Sequence, residues 1–334
     1  MAGSFFDTLS AKVKQRLTET TEALVEMLTE WTPQYSVIRP TRIPMAALST
    51  ALAFATAAPR LPPANYLPLS KMTLWIFGVD DVTDERLVTL ADIQCKAQKW
   101  YSIAKHGLSS REAIADGDEL TAILVEIRQE LSKSPLFEPL RKQWASSLRD
   151  VLEGILREYQ YGLDYTADRA SVLPSLDEYV HYGRCSIGVP LWGLTVLIIL
   201  GDPSARENFK SASEAIRYAG AAIRLYNDLK SFDREIQEGN INSIVIIDAG
   251  LRAQKDRRAT EAGVLSEAKQ YVLRLADSYA QKCYNLTGRL QAGSRQFQEA
   301  VARTVAFHAY FYHEHDYHST SLTEINALLG DARN

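Results

Sequence analysis

Apolar residues recur along this chain at three- and four-residue spacings and hardly ever at alternate positions, a pattern that predicts helices rather than strands. Long helices are expected over residues 4–30, 41–58, 68–85, 87–106, 110–132 and 136–165. Others follow over 175–200, interrupted in the middle, and over 206–238, 241–252, 259–290 and 293–316. The breaks "APRLPP", "SKSP", "VLPS", "GDPS" and "QAGS" are short and rich in proline, glycine and serine. None is long enough to link two domains, and no internal repeat is visible, so residues 1–334 are expected to form one all-α domain. A bundle of this kind can enclose a cavity between its helices.

Two stretches, Met45 to Ala58 and Gly188 to Leu200, are apolar on every face. Both fall short of the roughly 18–20 residues that a membrane span needs, so buried core helices are expected, with no stable membrane insertion. The start, "MAGSFFDTLSAKVKQRL", reads as amphipathic helix rather than a secretory signal. A net charge of -4 excludes a broad polyanion-binding surface of the nucleic-acid kind. Three cysteines, Cys95, Cys185 and Cys283, lack paired spacing, which argues against a disulfide scaffold or zinc site and for a reducing cytoplasm.

Charge becomes informative at "IFGVDDVTDERLV", residues 76–88. Asp80, Asp81, Asp84 and Glu85 crowd the end of an apolar helix with only Arg86 beside them. Asp80 and Asp84 are four apart and project from one face, where they repel unless a cation bridges them. Magnesium suits such a place, because it takes hard oxygen ligands and combines one or two carboxylates with waters and phosphates. A solvated helix end is the plain alternative.

A second stretch, "RLYNDLKSFDREIQEGN", puts Asn227, Ser231 and Glu235 along one helical stripe at successive four-residue steps. Amide, hydroxyl and carboxylate can offer three oxygens to one hard cation. Polar stripes are also the ordinary outer face of helices, but this one continues back through Ile223, Gly220 and Ala219, which are apolar or small.

The pair "DDVTD" and "NDLKSFDRE", in this order and about 150 residues apart, resembles the two motifs of a class I terpene synthase of the bacterial single-domain type. The resemblance implies the class I terpenoid synthase fold, a helical bundle around a central apolar cavity. It implies Mg2+, three ions with Mn2+ able to take their place, held by Asp80, Asp84, Asn227, Ser231 and Glu235, with Asp81 in support. The activity implied is that of a carbon–oxygen lyase: an isoprenyl diphosphate loses its diphosphate, and the carbocation left behind cyclises or rearranges to a terpene. It leaves homodimerisation open.

By the same resemblance Arg234, immediately before Glu235, Arg224, three before Asn227, and Arg184, 43 before it, would contact the diphosphate. Guanidinium forks suit phosphate oxygens, although each arginine alone could equally serve a structural ion pair. Gly188 and Pro190 break the helix after Arg184, and in the family such a kink carries a carbonyl that faces the substrate, with Ile187 at the linker position. Phe77 and Thr73 share the face of Asp80, and Trp192 lies one turn beyond Gly188, so they are candidate walls for a chamber that must stabilise a cation and exclude water.

The segment "FHAYFYHEHDYHST", residues 307–320, gathers four of the six histidines with several aromatics. His313, His315 and His318 have no paired acid motif, so a helix end and lid is expected rather than a metal site. Relatives carry an Arg-Tyr pair in this region, whereas Tyr317 here follows Asp316, and Tyr317 is kept as the substrate-facing candidate. A chain-elongating prenyltransferase would need a second aspartate-rich motif, a head-to-head synthase a partner for "DYTAD" (Asp164 to Asp168), and a protonation-initiated cyclase a D-x-D-D acid; none is found. The second motif resembles kaurene-type diterpene synthases, and Ala219, Gly220 and Gly188 are expected to leave room, so geranylgeranyl diphosphate or a bicyclic derivative is the expected substrate. Farnesyl diphosphate is the alternative, and a non-catalytic helical scaffold the reading from another class.

Overall fold

A computed structural model describes residues 5–109, 111, 112, 115, 117–167, 173–254, 260–290, 295–315, 317 and 322–330. Thirteen long helices account for most of them: α1 (Ala11–Trp31), α2 (Ile43–Ala57), α3 (Leu67–Asp84), α4 (Leu90–His106), α5 (Glu119–Leu131), α6 (Phe137–Ala167) and α7 (Leu176–Ser186). There follow α8 (Val189–Leu200), α9 (Phe209–Glu238), α10 (Ser243–Gln254), α11 (Glu261–Thr287), α12 (Arg295–Glu314) and α13 (Leu322–Gly330). No strand occurs among the described residues, and the all-α expectation holds.

The two segments apolar on every face, α2 and α8, lie inside the bundle. Met45, Ala46, Ala47, Leu48 and Ala51 are fully covered, as are Leu191, Val196 and Ile198. Together with α7 the second segment, Leu176–Leu200, is long and apolar enough to cross a bilayer, but 67% of its apolar window is buried among other helices, as befits a core element. At its middle Gly188 adopts φ +77°, a left-handed conformation that glycine takes without strain, and Pro190 follows in the first turn of α8. The kink is therefore set by two adjacent residues.

Caps fix several helix starts. Thr89 and Asp92 form a reciprocal capping box at α4, and Ser175 accepts from the Glu178 N–H at α7. The chain departs from the expected boundaries at three places. Ser10 is extended and α1 starts after it, because Phe5 and Phe6 fold back to pack edge-on against Phe307 and Tyr310 of α12. Gly117, at φ +71°, and the N-cap Asp118 interrupt the helix expected over 110–132, with Arg111, Glu112 and Ala115 helical before the break and α5 beginning at Glu119, and α13 lies beyond the expected helices. Lys71, 3% exposed on α3, is clamped by Glu126 and Glu130 of α5, and Glu126 also accepts from the Trp31 indole, which ties α1, α3 and α5 together.

Candidate active site

Helices α3, α6, α7, α8, α9 and α12 surround one cavity of about 180 Å3. One water needs only about 10–15 Å3, so this is a chamber and not a packing defect. Its lining is segregated. Asp80, Glu158, Asn227, Glu235 and Arg234 supply charge and amide oxygens, while Ile76, Phe77, Val189, Trp192 and Ile223 supply apolar wall. Asp80 reaches the cavity from the last turn of α3, and Asn227 and Glu235 reach it from α9. The two stripes thus open into one space.

Around α9 the carboxylates are held by their neighbours. Glu235, 7% exposed, accepts from Asn242 Nδ2 at 2.8 Å, and Asn242 in turn donates to the Asp228 carbonyl at 2.9 Å. Ser231 is 1% exposed and donates to the Asn227 carbonyl at 2.9 Å, so its hydroxyl sits between the two cavity-lining members of the stripe without itself lining the cavity. Arg224 binds Glu158 and Asp228, each at 2.9 Å, and donates to the Tyr179 hydroxyl at 2.6 Å; that hydroxyl donates onward to Asp228 at 3.0 Å. Arg234 lines the cavity and pairs with Glu238 at 3.0 Å.

Burial pushes the Glu158 carboxyl up, against the pull of Arg224 and the Ser186 hydroxyl, with Asp80 and Asp228 pushing the same way. Burial also pushes Glu235 up. Carboxylate and amide oxygens facing a partly apolar chamber are donors of the kind that suits a hard divalent cation. Asp80, Asn227 and Glu235 are the described oxygens that could hold one. The Asp84 side chain, also expected there, lies outside the described residues.

Two expected residues are elsewhere. Asp81 is rotated about 100° around α3 from Asp80 and binds Arg42 at 2.5 Å and Arg39 at 3.2 Å, so it faces the α2 side and not the cavity. The missing counter-charge of the acid cluster is thus supplied in part by residues 39 and 42. Arg184 is likewise off the cavity. Gly183 is the α7 residue that meets Arg224, and Arg184 beside it is half-buried, with Nη2 3.2 Å from His181 Nδ1 and a buried Nε that has no hydrogen-bond partner among the described residues.

Gly188 does line the cavity, and a Cβ there would stand 2.8 Å from Ile76 Cδ1. Gly220 does not. Its missing Cβ leaves space for the Arg184 carbonyl, at 2.6 Å, so its smallness lets α7 and α9 approach and makes no room for substrate; Ala219 is off the lining too. Phe77, Thr73, Ile187 and Trp192 are on the wall as expected.

Tyr317 closes the chamber from the C-terminal side. Its hydroxyl meets His308 Nε2 at 2.6 Å, the two rings stack at 5.6 Å, and Phe77 lies 5.7 Å away. His308 Nδ1 lies 2.7 Å from the Thr304 carbonyl and must donate to it, so Nε2 accepts from Tyr317. Burial lowers His308 to about 4, and the ring is neutral. Arg42 donates to the Tyr317 carbonyl at 3.1 Å and lies 5.3 Å over the Phe77 ring. His313 is exposed against Glu314 and His315 stacks on Phe311, while Asp168, Asp316 and His318 lie outside the described residues. Glu158, Tyr179, Asn242, His308, Arg42 and Arg86 were not singled out as site residues from the sequence. No spacing rule joins them, because they come from six segments.

Residues 71–281 match the sequence model described as terpene synthase family 2, C-terminal metal binding. Among curated proteins, the cis-abienol synthase of Nicotiana tabacum is 34% identical over 79 residues, covering 23% of this chain and 10% of that protein. The ent-kaur-16-ene synthase of Cucurbita maxima is 28% identical over 121 residues, 34% of this chain and 15% of that one. The S-(+)-linalool synthase of Arabidopsis thaliana is 26% identical over 250 residues, 72% of this chain and 41% of that one. The matched stretches therefore span from a tenth to about two fifths of these relatives. Among solved structures, 2-methylisoborneol synthase from Streptomyces coelicolor A3(2), in complex with Mg2+ and geranyl-S-thiolodiphosphate, superposes with a TM-score of 0.67 at 15% identity, covering 92% of this chain and 93% of that one. Abietadiene synthase from Abies grandis gives 0.68 at 16%, covering 96% of this chain and 40% of that one.

Proposed function

The chain belongs to the terpene synthase family, and from that premise we propose that it is a Mg2+-dependent class I terpene synthase acting as a single domain. It ionises an isoprenyl diphosphate in the α3–α9 cavity, releases the diphosphate and guides the carbocation to a terpene. One observation carries this reading: Asp80 from α3 and Asn227 with Glu235 from α9 line the same chamber, beside an apolar wall.

Asp80, Asp84, Asn227 and Glu235 are the residues we assign to hold the metal, three ions by resemblance to the family, with Mn2+ a substitute; Ser231, given the same part by that resemblance, would have to turn its hydroxyl from the Asn227 carbonyl to join them. When bound, such ions draw off the negative charge that develops on a departing diphosphate. Arg234 adds a guanidinium fork at the same end. Arg224, already engaged by Glu158 and Asp228, orients the α9 motif and contributes little net positive charge of its own. Neither Asp81 nor Arg184 is kept in the site.

Deeper in, the Phe77, Trp192 and Tyr317 rings face the space where the cation would travel, and π faces stabilise a cation without attacking it. The kink at Gly188 seats the start of α8 against Ile76 and closes the wall between α3 and α8. Exclusion of water by these side chains is what lets a carbocation persist long enough to rearrange.

For substrate we favour a twenty-carbon diphosphate, geranylgeranyl or a bicyclic derivative. The support is the likeness of "RLYNDLKSFDREIQEGNINSI" to diterpene synthases and the matches to cis-abienol and ent-kaur-16-ene synthases. Farnesyl diphosphate is the second reading, since the smaller part played by Gly220 removes one argument for a larger chamber. The free thiols Cys95, Cys185 and Cys283 suit a cytoplasmic setting. Incubation with geranyl, farnesyl, geranylgeranyl and copalyl-type diphosphates plus Mg2+, followed by mass spectrometry of the products, tests substrate and activity together. Asp80→Ala and Asn227→Ala should each abolish turnover with the helical circular-dichroism spectrum intact; turnover retained in both would overturn the assignment.

A further inference from the structure

Three arginines line the cavity, and two are engaged by carboxylates. Arg224 is held by Glu158 and Asp228, and Arg234 by Glu238. Arg86 is the cavity arginine with no carboxylate contact among the described residues; its guanidinium reaches only the Thr166 hydroxyl, at 3.5 Å.

Its backbone is unusual as well. The last turn of α3 closes with Leu87 N–H on the Val82 carbonyl at 3.1 Å and Arg86 N–H on the Thr83 carbonyl at 3.0 Å, which leaves Arg86 at φ 53°. Glycine normally takes this position at a helix end, and Arg86 is the one non-glycine residue with positive φ among those described. Strain of this sort gathers at functional sites. The side chain lines the cavity beside Gly162 of α6: a Cβ on Gly162 would lie in ordinary contact with Arg86 Nη2, at 3.8 Å, and closer to Asn240 Oδ1, at 3.3 Å. Arg86 thus spans from the end of α3 towards the end of α9, on the side where Asp80, Arg234 and Glu235 enter the cavity.

We propose that Arg86 binds the diphosphate of the substrate, filling with its guanidinium fork the part that sequence resemblance gave to Arg184. The inference rests on the reading of the cavity as an isoprenyl diphosphate site. A planar fork without an acidic partner is suited to two phosphate oxygens at once, whereas an arginine already neutralised by carboxylates must first give up a partner.

Calorimetric titration of inorganic pyrophosphate into the full chain in Mg2+ tests it, using wild type, Arg86→Gly and Arg86→Lys. Glycine suits φ 53°, so the melting temperature without metal should stay within about 2 °C of wild type. Affinity for pyrophosphate should fall about ten- to a hundredfold, and lysine should recover part of it. Equal affinity of wild type and Arg86→Gly overturns the inference. So does an affinity loss that comes with a larger drop in melting temperature and no recovery by lysine, which would mark a structural role. Failure of wild type itself to bind pyrophosphate overturns instead the underlying reading of the cavity.

Discussion

Asn242 Nδ2 lies 2.8 Å from Glu235 Oε2, a hydrogen bond that reaches back across the C-terminus of α9 to the last member of its oxygen stripe. The same amide donates to the Asp228 carbonyl at 2.9 Å, and its own oxygen accepts from the Ile244 N–H at 2.9 Å, so one fully buried side chain joins the end of α9 to the start of α10. Asn242→Ala should cost about 2–3 kcal/mol by leaving buried polar groups unpaired. Turnover should fall further than stability explains, because Glu235 loses the contact that orients it. Urea denaturation and steady-state kinetics with Mg2+ check the two effects separately; unchanged kcat would remove Asn242 from any positioning role.

Gly188 makes a similar demand on the backbone. Alanine there must hold φ +77° and place Cβ 2.8 Å from Ile76 Cδ1. Left-handed strain and the overlap together should cost about 2–4 kcal/mol. The displaced wall should also change the product mixture, which gas chromatography of the hydrocarbons would show. Ile76→Val in the Gly188→Ala background relieves the overlap but not the φ strain, so it should restore only part of the stability.

His308 supplies a pH dependence with a definite sign. Its ordinary value is about 6.5, and burial lowers it to about 4 in the fold, so between those values the unfolded chain binds the extra proton and the folded one does not. Stability from this group is intact above pH 6.5 and is lost as pH falls towards 4, by up to about 3 kcal/mol. Glu126 and Asp118 are both lowered in spite of burial, Glu126 by its bonds to Lys71 and Trp31, and Asp118 by its bonds to Lys96 and Thr121. Their losses therefore come below the normal carboxylate range. Burial raises Glu235 to about 7 and raises Glu158 too, and both act with the opposite sign as pH falls, so the His308 limb is read as the difference between the melting curves of wild type and His308→Gln from pH 7 to 4.5. An unchanged slope in that variant would reject the assignment.

The helical architecture was readable because the informative signals are local. Apolar spacing predicted α2, α3 and α9 to within a few residues, and glycine with proline marked the α7–α8 kink. Boundaries slipped where a distant contact decides them, as at Ser10, where Phe5 and Phe6 are drawn onto α12. In the site, four-residue steps were enough to bring Asp80, Asn227 and Glu235 to one cavity. They could not tell that Arg184 lies off the cavity because Gly183 takes the face towards Arg224, or that Asp81 is neutralised by Arg42 from 39 residues away. Facing a chamber is a property of several helices together, and one helix's periodicity does not contain it.

Arg42 shows how far that cooperation extends. It is 5% exposed and joins three elements: its Nη2 binds Asp81 on α3 at 2.5 Å, its Nη1 donates to the Tyr317 carbonyl at 3.1 Å, and its guanidinium lies 5.3 Å over Phe77. Arg42→Ala leaves buried Asp81 with Arg39 alone, which is 45% exposed and more weakly placed at 3.2 Å, so a loss of about 3–5 kcal/mol is expected. Removing both charges together, as Arg42→Met with Asp81→Leu, should recover most of it, since no uncompensated carboxylate remains. Stability and product control then separate. The double variant should fold well, yet Tyr317 and Phe77 lose the anchor that holds them across the chamber, and water should reach the carbocation more often. A larger share of alcohols among the products of the double variant, measured by mass spectrometry at matched conversion, is the expected result; a wild-type product ratio would confine Arg42 to neutralising Asp81.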